Sequence, residues 1–91
     1  MTVEIRRTPR YYEAYLDGER VGELAYERHD DVVTAIHTEV DPGTEGKGVG
    51  GRLAQTLLDD ARAAGQHVVP LCPFVKGWIG RHPDYADLVT G

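Results

Sequence analysis

The spacing of apolar and polar residues changes period once along this chain, in the middle forties. Before that point the pattern alternates. Tyr11–Leu16 is β-prone with period two, and 20–28 repeats the pattern imperfectly through Val21, Leu24 and Tyr26. Val32–Val40 forms a third run, with Thr34, Ile36, Thr38 and Val40 expected on one face. Asp17-Gly18 is a hairpin turn signal between the first two runs, and His29-Asp30-Asp31 marks a second turn. These signals predict a three-stranded antiparallel meander.

Beyond the change, the spacing is helical. Val49, Leu53, Leu57, Ala61 and Ala64, flanked by Ala54 and Leu58, form a stripe at three- and four-residue intervals. This predicts a helix over 48–64, with Gly65 just past its end. Residues 67–71 read as a short strand, which Pro70 confines to a sheet edge or a bulge. Pro73 suits the first turn of a second helix over 74–81, which Pro83 ends. Phe74 and Trp78 share a face of that helix and are expected in the core. The segment 85–89 reads as a short helix or strand. The expected architecture is a mixed α+β fold in a single domain, 1–91: meander, glycine loop, central helix, further strand and C-terminal helix.

Composition narrows the function. A domain of 91 residues buries about 60% of its unfolded surface, so its core is modest. Ten basic against fifteen acidic residues give a net charge of −5, which argues against nucleic acid as the main partner. No apolar run approaches the ~20 residues of a membrane span, and the N-terminus has no secretory apolar core. One cysteine excludes an internal disulfide framework, and the four histidines are not spaced with it as a metal site. The expected location is cytoplasmic.

The chemistry concentrates in Gly46-Lys47-Gly48-Val49-Gly50-Gly51-Arg52, between a strand pattern and a helix pattern. Glycines at a helix N-terminus leave backbone N–H groups unobstructed, and the helix dipole favours an anion there. The nucleotide P-loop spacing fails, because Asp41 stands five residues before Gly46 and Gly48 follows Lys47. The dinucleotide fingerprint matches literally at 46–51. Its context does not, because the next apolar run ends in Cys72-Pro73 with no acidic residue to hold a ribose. A glycine-rich turn without a ligand is the bland alternative, and the entropy cost of so many glycines weighs against it.

A third pattern, Gln/Arg-x-x-Gly-x-Gly/Ala after Val-x-Pro, fits at both glycine positions: Val40-Asp41-Pro42 precedes Glu45-Gly46-Lys47-Gly48-Val49-Gly50. Here the chain resembles the GNAT-type N-acetyltransferases. It is similar to a short subgroup in which three further segments recur, here His37-Thr38-Glu39-Val40, Pro70-Leu71-Cys72-Pro73-Phe74-Val75 and Arg81-His82-Pro83-Asp84-Tyr85. The resemblance covers about 11–88. It departs at Glu45, where the family has Gln or Arg. It departs again at Asp17-Gly18, which joins two strands directly where larger members insert helices for the acceptor pocket.

The resemblance implies binding of acetyl-coenzyme A (acetyl-CoA) and transfer of its acetyl group to an unidentified amine, a macromolecular acceptor being one candidate. The cofactor contacts it implies are Glu39, Val40 and Asp41 for the pantetheine arm, and Gly46, Lys47, Gly48, Val49, Gly50, Gly51 and Arg52 for the pyrophosphate. The catalytic candidates it implies are Cys72 beside the thioester, Tyr85 as the acid for the leaving thiolate and His37 as a base. Direct transfer is favoured over a Cys72 relay, because the local sequence offers no thiol activator. A module that binds coenzyme A without turnover, and a homodimer, are the other expectations.

Overall fold

A computed structural model of the chain describes residues 2–44 and 47–90. Its strands are β1 (Glu4–Arg7), β2 (Tyr11–Leu16), β3 (Glu19–His29), β4 (Val32–Val40) and β5 (His67–Pro70); its helices are α1 (Val49–Ala63) and α2 (Pro73–Arg81). The strands form one sheet in the order β1-β2-β3-β4-β5, antiparallel except for the β4–β5 pair. The expected mixed fold is present: the three-stranded meander is β2–β4, the further strand is β5, and β1 adds a fifth strand to the sheet.

Strand β1 was not expected, because Glu4-Ile5-Arg6-Arg7 carries a single apolar residue. Tertiary contacts stabilise it. Arg6 stacks on the Tyr15 ring at 3.9 Å, and Arg7 pairs with Asp60 of α1 at 2.7 Å. The β2–β3 turn is the predicted one, with Asp17 and Gly18 both at positive φ (50° and 82°). That is the handedness a two-residue hairpin needs.

One face of the sheet packs on both helices. Tyr12, Ala14, Leu24, Val33 and Ala35 meet Leu53, Leu57, Leu58 and Ala61 of α1 and Val75, Trp78 and Ile79 of α2 in one apolar cluster. The stripe predicted for α1 is the buried one, apart from Ala64 at its exposed end. The helix then stops by pairing Gln66 N–H with Ala61 O and Gly65 N–H with Arg62 O, with Gly65 at φ 69°. Strand β5 lies at the sheet edge, as Pro70 requires. The tail forms a 3-10 helix, Pro83–Leu88, and a single bridge from Val89 to Val68.

The facing of β4 differs from the simple alternation. Ala25 pairs with His37 and Tyr26 with Ala35, so Ile36 has no partner on β3. This bulge shifts the pleat by one residue. Val33 and Ala35 face the core before it. Thr38 and Val40 face the same side after it, while His37 and Glu39 turn outward and stay exposed. Thr34 and Ile36 are therefore not on the Thr38–Val40 face.

Candidate functional site

The bulge marks the place where the sheet splits. Strand β5 runs parallel to β4 only as far as the Ala35–Pro70 pair, and Cys72 N–H closes the contact on Ala35 O at 2.9 Å. From Ile36 to Val40, β4 continues with no strand beside it on that edge among the described residues. The chain leaves β5 through Leu71 and Cys72 into α2. A wedge opens between β4 on one side and 71–74 on the other.

The N-terminus of α1 stands at one end of this wedge. Gly48 precedes the helix at φ 73°, with open space where a Cβ would point. Arg52 N–H bonds to Gly48 O at 3.0 Å, and the amides of Val49, Gly50 and Gly51 precede it at the helix end. No acidic side chain lies in the first turn. Lys47 and Arg52 are both exposed there. Such an end is suited to an anion. Gly46 and Glu45 lie outside the described residues.

Three glycines bring the parts together by close approach. A Cβ at Gly22 would meet Val49 Cγ1 at 3.0 Å, which lets the start of α1 settle on β3. A Cβ at Gly51 would meet Trp78 Nε1 at 3.2 Å, and one at Gly50 would meet Phe74 Cζ at 2.7 Å. Gly50 and Gly51 thus allow the close contact of α1 with α2. Trp78 is buried as expected, but Phe74 is 40% exposed, at the rim of the wedge against Gly50.

The catalytic candidates do not converge on one point. Cys72 is buried, and its Sγ lies 3.2 Å from Thr38 Oγ1 across the wedge. Sequence reasoning assigned Thr38 no role, because only the bulge turns it toward Cys72. His37 lies on the outer face, with Nε2 at 3.2 Å from Glu39 Oε1. The Tyr85 hydroxyl donates to Asp59 Oδ1 at 2.7 Å, and this bond pushes the phenol up from its ordinary value. Asp59 follows Gly50 by nine residues, about 13 Å along α1, so Tyr85 sits along the far half of that helix. Glu39, Val40 and Asp41 line a hollow of about 290 Å³ with Gly22 and Pro42, where β3 starts and β4 ends. The described residues contain no cluster of metal-ligating side chains and no helix long and apolar enough to cross a membrane.

A sequence model of the GCN5-related N-acetyl-transferase family matches residues 11–88. The chain belongs to this family. Its fold is similar to that of a GCN5-like protein from Staphylococcus aureus, at a TM-score of 0.76 and 23% identity over 97% of this chain and 88% of that one. It is similar also to the ribosomal-protein-S18-alanine N-acetyltransferase of Escherichia coli, at a TM-score of 0.63 and 21% identity over 70% of this chain and 43% of that one. A ribosomal-protein-alanine N-acetyltransferase from Brucella melitensis biovar Abortus gives 0.64 and 20%, over 89% of this chain and 61% of that one. The chain thus spans less than two thirds of the length of these two enzymes. No curated protein matches its sequence.

Proposed function

We propose that this GNAT-family chain binds acetyl-CoA in the wedge between β4 and Cys72 and transfers its acetyl group directly to an amine. One observation carries the reading: the sheet splits after Ala35 on the side where α1 opens at Gly48. An unpaired strand edge and an open helix N-terminus then share one groove.

The residues present fit the group. Gly48 leaves free space where a side chain would block an approaching phosphate, and the amides of Val49, Gly50 and Gly51 supply donors. Lys47 and Arg52 add positive charge with no acidic residue in the first turn. The backbone of Glu39, Val40 and Asp41 would hold the amide-bearing arm as an added strand. A β4 amide near Val40 would donate to the thioester oxygen, where negative charge develops. When bound, acetyl-CoA would supply an acyl carbon for the acceptor amine to attack, the C–S bond breaking and the sulfur leaving as a thiolate that takes its proton from solvent. His37, exposed beside Glu39 on the outer face of β4, would take the amine proton from an acceptor that approaches on that face.

A second reading, coenzyme binding without turnover, rests on a specific observation. Only residues 8–10 link β1 to β2, and Asp17-Gly18 links β2 to β3. Neither connection supplies helices for an acceptor pocket, so a macromolecule or a second copy would have to present or complete that half. The chain is proposed to act in the cytoplasm.

An amide-resolved NMR titration with coenzyme A tests the reading. Shifts are expected at 38–40 and 47–52 and at Cys72. Shifts confined to other parts of the chain would contradict it. Release of free thiol from acetyl-CoA on addition of an amine would then separate transferase from binding module.

A further inference from the structure

The wedge has a floor. Thr38 and Cys72 meet at 3.2 Å below the open edge of β4, on the side where the helices pack. Cys72 is 2% exposed, and the cluster it belongs to includes Ala35, Val49, Val68 and Val75. A group that follows β4 inward from the end of α1 therefore meets this contact before it reaches the Ala35–Pro70 pair, where the two strands join.

Resting on the coenzyme reading above, we infer that the Thr38–Cys72 contact sets the acyl-chain length the site accepts, admitting acetyl and excluding longer acyl groups. Both side chains are short, yet each is held. Thr38 is fixed in its inward position by the bulge at Ile36, and the Cys72 backbone is anchored on Ala35 O while it caps the start of α2. Neither can retreat without moving β4 or α2. Phe74 closes the rim on the α1 side by lying against Gly50. An acyl chain extended by one or two methylenes would have to part Thr38 from Cys72 or displace packed core atoms. Packed interiors resist such a change of volume. This floor differs from a reactive thiol: it needs the bulk and position of Cys72, and no bond to it.

Affinities for free, acetyl-, propionyl- and butyryl-coenzyme A, measured by calorimetry for the natural chain and two variants, test the inference. One methylene typically changes discrimination by about 10- to 200-fold in a shaped pocket. The natural chain is expected to bind the acetyl form at least about 10-fold more tightly than the butyryl form. In Thr38→Ser, which removes one methyl, and in Thr38→Ala/Cys72→Ala, that ratio should shrink stepwise toward one. Equal discrimination in all three proteins, with coenzyme A bound, would overturn the floor and leave the coenzyme site standing. A natural chain that binds none of the four would overturn the coenzyme reading and the inference with it. Should the double variant fail to fold, Thr38→Ser alone decides, because an unchanged ratio there refutes the floor.

Discussion

The ring of Phe74 lies against Gly50, so close that a methyl group on Gly50 would stand 2.7 Å from Phe74 Cζ. The contact joins the starts of α1 and α2 at the rim of the wedge. It explains one glycine of the loop by packing alone.

A double-mutant cycle measures this relationship. Gly50→Ala relieves backbone entropy worth up to about 1 kcal/mol, but in the natural chain it must push Phe74 aside. In a Phe74→Ala background the obstacle is gone, and the same change should stabilise. We expect a coupling of about 1 kcal/mol by denaturant unfolding. Additivity within about 0.3 kcal/mol would mean that the ring moves freely and the glycine is not held by it.

Gly48 is constrained differently, because its φ of 73° is the difficulty and the space around it is open. Gly48→Ala should cost about 1–2 kcal/mol of stability, and Gly48→Asn less, since Asn tolerates this region. Coenzyme affinity should fall in both, as a side chain enters the phosphate approach. A Gly48→Ala protein that is as stable as the natural chain and binds equally well would show that neither constraint operates.

The base of the sheet carries a polar knot with a calculable pH response. Asp60 accepts from Arg7 at 2.7 and 3.1 Å and from the Tyr12 hydroxyl at 2.7 Å. The Arg7 bond holds its carboxyl below the ordinary value. A depressed carboxyl contributes stability that is present above its unfolded value, near 3.9, and lost as pH falls through the lowered folded value. Tyr12 behaves in the opposite sense: burial pushes its phenol up to about 12. Its contribution is complete below the unfolded value near 10 and lost as pH rises toward the folded one. Asp60→Asn should cost about 1–2 kcal/mol at neutral pH and flatten the acid limb of the stability profile. Tyr12→Phe should flatten the alkaline limb. Limbs that do not change would remove this pair from the account.

Tyr85 and Cys72 can be separated by substitution. The Tyr85 hydroxyl is committed to Asp59, so Tyr85→Phe should lose about 1 kcal/mol of stability and keep acetyl transfer within a few fold. Cys72→Ala should keep coenzyme binding and transfer, and no acetyl adduct should form on the natural chain incubated with acetyl-CoA alone. A Cys72-dependent, hydroxylamine-sensitive adduct that passes its acetyl group to an amine would replace direct transfer with a covalent relay.

What the sequence disclosed follows from how local each cause is. The stripe Val49-Leu53-Leu57-Ala61, the Asp17-Gly18 turn and Gly65 act through neighbours in sequence, and their elements stand where the pattern places them. Strand β1 depends on Tyr15 in the neighbouring strand and on Asp60, 53 residues beyond Arg7, and four mostly charged residues carry no period of their own. The bulge at Ile36 depends on the register of β3, so the inward turn of Thr38 could not be read from Val32–Val40 alone. The glycine loop could be singled out in the sequence as a candidate anion site because the chemistry proposed for it is backbone chemistry. The exposure of Phe74 was not, because a helical face says nothing of where the core ends. Tyr85 was placed by motif, and its tie to Asp59 arises only when the tail folds back on α1.

The central claim is that the groove between β4 and the start of α1 is built for acetyl-CoA. Thermal unfolding monitored by calorimetry in the presence of acetyl-CoA, with NAD and ATP as comparators, tests it most directly. Acetyl-CoA at 100 times its Kd should add about 2.7 kcal/mol, a rise in Tm on the order of 10 °C for a domain this small. NAD and ATP at the same concentrations should raise it less. A larger shift with NAD than with acetyl-CoA, or no shift with acetyl-CoA at millimolar concentration, would contradict the account.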